Sequence, residues 1–90
     1  MDVEAIKKQL EKQGYTHVFL WEDAPNTHHP YHMHHHDTAH VVISGSIEVE
    51  KESGSKKTYT KGDRFDVSAG VQHYAVAGDE GCTYLIGQRK

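Results

Sequence analysis

Seven of the nine histidines in this 90-residue chain fall between His28 and His40, in the run HHPYHMHHHDTAH, and an eighth, His73, ends the stretch VSAGVQH. Imidazole is a nitrogen ligand for transition metals and also titrates near neutral pH, so such clustering points to a metal site or a proton-handling site. His32, His34, His36 and His40 share even parity, and on an extended segment all four would emerge on one side of a sheet. His32 and His34 would then have Cα atoms about 6.6 Å apart, close enough for both rings to reach one ion. His40 would lie roughly 20 Å beyond His34 on a straight strand, so it can join them only if the chain folds back or bulges near His35–Asp37. His73 has to arrive from a different strand, and a closed sheet is the natural way to bring it opposite.

The other histidines read differently. His28, His29 and His35 are expected to be solvated rings of a polar loop, and His17, at the start of a strand, carries no functional reading. His36 is the candidate for a non-ligating general base. Asp37, the nearest acidic side chain, has odd parity and is turned away from the ligand face.

The elements that must position these residues are mostly strands. The stretch 2–14 reads as one amphipathic helix, with Val3, Ile6 and Leu10 at helical spacing, Asp2 suited to the N-cap and Gly14 to the stop. THVFLW (16–21) is a β-branched and aromatic strand, and EDAPNTHHPY reads as a proline-punctuated loop. After the histidine run, HVVISGSIEVE reads as two strands joined at Ser44-Gly45. ESGSKK is a hairpin tip, Lys61-Gly62-Asp63 a turn before RFDV, and Ser68-Ala69-Gly70 a turn into QHYAVA; GDEG then turns the chain into CTYLIG. Short strands at near-regular intervals predict an all-β sandwich or barrel over 16–87, behind one N-terminal α-helix (1–14), as one domain over 1–90.

Composition narrows the partners. Ten basic against thirteen acidic residues give a formal charge of −3, with no basic patch interleaved with aromatics, so nucleic acid is not an expected partner. No apolar stretch has the length of a membrane span and no signal-peptide core follows Met1; with the lone Cys82, expected to be buried, this fits a cytoplasmic protein. Ninety residues bury only roughly 60–65% of the unfolded surface. Val41, Val42 and Ile43 are apolar at consecutive positions, so both faces of their strand need cover, from the helix or from a second copy in a homodimer. Trp21 and Tyr84 read as core aromatics, Tyr31 and Tyr74 as candidates for a pocket rim, and Arg64 and Asp66 as facing solvent or a subunit.

Two motifs then resemble the cupin superfamily, whose first motif has the form G-x5-H-x-H-x3-4-E-x6-G and whose second is G-x5-P-x-G-x2-H-x3-N. His32-x-His34 is followed by three residues, Thr38, six more and Gly45; Gly62, Ser68, Gly70 and His73 keep the second spacing unbroken. Asn26, Thr38, Ser68 and Ala77 stand where the pattern has glycine, glutamate, proline and asparagine. The resemblance implies a cupin-type double-stranded β-helix (jelly-roll barrel) of the small single-domain kind, with His32, His34 and His73 as metal ligands. For the fourth place His40, two residues beyond Thr38 on the same strand face, is preferred. The shifted set His34, His36 and His40 keeps the ligand spacing but breaks the spacing to Gly45.

A neutral histidine shell around a divalent ion carries net positive charge and favours an anionic small-molecule ligand. Zn, Ni, Fe, Mn and Cu all suit such donors. The expectations are a metal-dependent oxygenase, isomerase or lyase on a small polar or anionic substrate, or alternatively a non-catalytic sensor or metal-binding module.

Overall fold

The computed structural model describes residues 2–89. Helix α1 (Val3–Lys12) begins where the Asp2 carboxylate accepts the Ala5 N–H at 3.1 Å. Six strands follow: β1 (His17–Asp23), β2 (His28–Met33), β3 (Thr38–Lys51), β4 (Lys56–Thr60), β5 (Arg64–Val67) and β6 (Gln72–Gln88), all paired antiparallel. The architecture is an all-β jelly roll with one helix.

Two long strands organise it. β3 pairs with β6 from Thr38↔Gln88 to Lys51↔His73. In one half these strands are flanked by β1 and β5, in the other by β2 and β4. The sequence signals at Ser44-Gly45 and at GDEG, read above as turns, prove to be bends within continuous strands. Between Val42 and Ser44 the register shift inserts one extra residue, Ile43, into β3, and this bulge reverses which parity faces inward; between Gly45 and Ile47 the extra residues lie in β6, where 78–81 oppose Ser46 alone. Thus Thr38, His40 and Val42 point to the inner core before the bend, and Ile47 and Val49 after it. Gly45 (φ 76°) and Gly81 (φ 77°) meet at this fold-over: a Cβ on Gly45 would lie 2.1 Å from the Gly81 carbonyl oxygen. Only glycine allows that backbone approach.

The inner core joins Val42, Ile47, Val49, Phe65, Val67, Ala75, Ala77, Cys82 and Tyr84. The outer face of β3 and β6 is covered by the helix, which packs Leu10, with Val3 and Ile6, on Ala39, Val41 and Leu85. Of the two covers expected for Val41–Ile43, the helix is therefore the one in place. Arg89 lies over the Tyr15 ring at 4.4 Å; Arg64 and Asp66 are exposed, as expected, and bind each other, with Arg64 also bonded to the Gln13 side chain. No helix among the described residues is long and apolar enough to cross a membrane.

A candidate metal centre in the barrel cavity

β2 begins at His28, so the second half of the expected EDAPNTHHPY loop is strand. It lies beside β6 with His32 directly opposite His73. Side chains opposed in this way are neighbours on one sheet face, and the two ring centroids are 4.3 Å apart. His34 follows the end of β2, with centroids 5.0 Å from His32 and 5.1 Å from His73. One ring nitrogen from each of the three falls within 4.8 Å of the others. The His34 and His73 Nε2 atoms are 3.0 Å apart, a separation that two nitrogens each about 2.0–2.1 Å from a shared ion can adopt.

The bend at His35–Asp37 is tied to the turn that precedes His73. The His34 carbonyl accepts the Gly70 N–H at 3.0 Å, and the Asp37 carboxylate accepts the Ala69 N–H at 2.8 Å. The Asp37 carbonyl accepts the Arg89 N–H at 2.9 Å. Asp37, turned away from the cavity as its parity implied, fastens the ligand-bearing segment in place. His32 Nδ1 donates to the Pro30 carbonyl at 2.7 Å, which leaves its Nε2 bare for coordination.

The same bend returns His40 towards the cluster. Its ring centroid lies 6.3 Å from that of His34, and its ring stacks on Phe65 at 4.4 Å. It lines the cavity but stands outside the group of three converging nitrogens. The Nδ1 atoms of His40 and His73 are buried without a hydrogen-bond partner, a costly arrangement that a cation would relieve at His40 if it met that nitrogen. His36 is exposed in the bend and does not line the cavity.

Burial sets the protonation of these rings. It lowers His73 to about 4, reinforced by His32 and His34, and lowers His40 to about 3, reinforced by His34 and His73. His34 is lowered too, by burial first and His32 second. Near pH 7 these three rings are neutral and their lone pairs are available to a metal. The donor set therefore fits a divalent transition ion.

The cavity measures about 170 Å³. Beside the five imidazoles of His29, His32, His34, His40 and His73 its walls include Phe19, Trp21, Phe65, Tyr84 and Ile86. Trp21 is 46% exposed and forms part of the cavity wall, whereas Tyr84 is buried as expected. Tyr31 and Tyr74 pack on each other at 5.8 Å away from the cavity lining, with Tyr74 bonded to His28, so neither forms the rim.

One buried group was not read from the sequence. Asp23, placed in a loop there, ends β1 opposite Cys82 and is 5% exposed. Its carboxylate accepts from Trp21 Nε1 at 2.8 Å, from the Tyr84 hydroxyl at 2.9 Å and from His29 Nε2 at 2.8 Å. His29 is thus anchored and lines the cavity instead of being a solvated loop ring. The parity of Trp21-x-Asp23 on one strand face was the available signal. Tyr84 and Cys82 are both pushed up by burial and by Asp23, Cys82 to about 11, so that thiol is protonated and inert.

Comparison with known proteins agrees with this architecture. The model of the cupin domain family matches residues 19–86. Among solved structures, KdgF from Halomonas sp. is 25% identical with a TM-score of 0.72, over 81% of this chain and 67% of that one. An RmlC-like cupin from Shewanella frigidimarina is 25% identical with a TM-score of 0.69, over 81% and 65%. Oxalate decarboxylase from Bacillus subtilis, described with Mn(II) centres, is similar in fold at 23% identity and a TM-score of 0.74, but the match covers only 20% of that chain. No curated protein matched the sequence at a significant level.

Proposed function

The chain belongs to the cupin domain family, and on that footing we propose that it is a metal-binding cupin whose His32, His34 and His73 hold one divalent transition ion. The observation that carries the reading is the convergence of one ring nitrogen from each of three histidines, within 4.8 Å of one another, on the wall of a small cavity. The Mn(II) centres of the fold-similar oxalate decarboxylase support it. His40 is the proposed fourth ligand, supported by its buried, unpaired Nδ1 and reached by a rotation of its ring off Phe65.

When bound, the ion supplies a Lewis acid that polarises a carboxylate, carbonyl or enolate oxygen. The rest of the work falls to the chain. Phe19, Trp21, Phe65 and Ile86 exclude water from the ligand, and the backbone ties at Asp37 and His34 hold the donor rings in register. The proposed activity is that of an oxygenase, isomerase or lyase on a small polar or anionic substrate. A non-catalytic sensor or metal-binding module is the second reading, favoured by one observation: no carboxylate belongs to the described residues lining the cavity. We place the protein in the cytoplasm as a homodimer, readings supported by the free buried Cys82 and by the exposed Leu20 and Met33 on β1 and β2.

The test is elemental analysis of purified protein beside His32→Ala, His34→Ala and His73→Ala. Wild type should hold one ion per chain and each variant should lose most of it. Wild-type metal content in all three variants would exclude the assignment.

A further inference from the structure

Asp23 and His29 stand outside the three converging rings, yet Asp23 is buried and accepts three side-chain hydrogen bonds. Both carboxylate oxygens are used: Oδ1 accepts from Trp21 Nε1, and Oδ2 accepts from the Tyr84 hydroxyl and from His29 Nε2. Indole N–H can only donate, and a carboxylate can only accept. The neutral His29 ring must therefore carry its proton on Nε2 and leave Nδ1 bare. A buried carboxylate that fixes an imidazole tautomer in this way is the orienting half of an acid–base pair, where replacement by amide imposes the wrong tautomer.

His29 is 28% exposed at its side chain and lines the same cavity as the three converging rings, 6.5 Å from His32 between centroids. With Nε2 taken by Asp23, Nδ1 is the one ring nitrogen left to meet a ligand, and among the described residues it has no partner. We infer that His29, oriented by Asp23, is a specificity-determining hydrogen-bond acceptor of the cavity, which selects a small organic acid carrying a hydroxyl or enol donor. The inference rests on the metal reading only for the opposite anchor, which would take the acid's carboxylate. A cavity of this size accommodates a molecule about as large as benzene, so the ligand is a short-chain hydroxy acid whose carbon body lies against Trp21 and Phe19. Asp23 is a positioning residue and touches only protein.

The test has two arms, both at about pH 8, above the ordinary imidazole range. In the first, long-range proton–nitrogen correlation spectra of histidine-labelled, metal-free protein read the His29 tautomer. The expected form is Nε2–H in wild type and Nδ1–H in Asp23→Asn, whose amide would donate to Nε2. In the second, the zinc-loaded protein is titrated by calorimetry with 3-hydroxybutyrate, acetoacetate and butyrate, which share a skeleton and differ in donor, acceptor or neither. Wild type should prefer 3-hydroxybutyrate over both others by about tenfold, the worth of one hydrogen bond. Asp23→Asn should shift the preference to acetoacetate, and His29→Phe should abolish it, with zinc content unchanged in both. An Nδ1–H or doubly protonated ring in wild type overturns the inference, as does a preference that survives in His29→Phe. Failure of wild type to take up zinc counts against the metal reading instead, and the tautomer arm still decides the role of Asp23.

Discussion

Phe65 lies flat against His40, with ring centroids 4.4 Å apart and planes within 5° of parallel. The two are register partners on β5 and β3, so the stack is built into the strand pairing. It holds a buried imidazole at the back of the cavity, 6.3 Å from His34.

That placement separates His40 from His36. His40→Ala should weaken zinc binding about 10–100-fold, the range seen when groups around a metal are removed. His36→Ala should leave affinity unchanged. Competition titration with a chelating dye measures both, and equal affinities would remove His40 from the centre.

The buried rings also fix how the metal-free protein responds to acid. His73 at about 4 and His40 at about 3 lie below their ordinary value of 6.5. Between those values the unfolded chain binds the protons that the folded chain refuses, so stability is complete above about pH 6.5 and falls as pH drops towards 4 and then 3. Each ring contributes a slope of up to about 1.4 kcal/mol per pH unit in its window. Urea unfolding of chelator-treated protein should show midpoints dropping from pH 7 to pH 5, and His73→Gln should flatten the dependence. A flat wild-type profile would contradict it.

Two glycines with similar backbone angles should behave very differently. A Cβ at Gly45 would strike the Gly81 carbonyl, whereas one at Gly54 (φ 90°) meets nothing within 4 Å. Gly54→Ala should cost about 1–2 kcal/mol, the penalty for a left-handed residue alone. Gly45→Ala should cost clearly more or prevent folding, because the strands must part to admit it. Equal thermal midpoints for the two variants would show that the fold-over tolerates separation.

The same glycines explain where the sequence is legible and where it is not. The helix, the glycine-punctuated strands and the shared face of His32 and His34 follow from local patterns, whereas joining His73 to them rests on the resemblance of two motifs to the cupin pattern. Ser44-Gly45 carries the chemistry of a turn, and a bulge uses the same positive φ, so composition could not tell a hairpin from a bend in a continuous strand. Pro30 disguised β2 as loop; a proline fits there because β2 is an edge strand with an irregularity between His29 and His32. Asp23 shares a strand face with Trp21, but its burial depends also on Tyr84, a donor 61 residues away that no local pattern joins to it.

Assembly is open to a direct measurement. Leu20 on edge strand β1 lies opposite Leu85, which the helix cluster buries, yet is itself 55% exposed. Sedimentation equilibrium should give the mass of two copies for wild type and of one for Leu20→Glu. A monomeric wild type would rule the homodimer out.

β3 and β6 each run through both halves of the barrel, so neither half possesses strands of its own at the centre. Loosening at one extremity must then be felt at the other, and the molecule should melt as a single cooperative unit. Loading a cation beside His73 should slow amide hydrogen exchange even around Leu85 and Ile86, at the far end of the same strand.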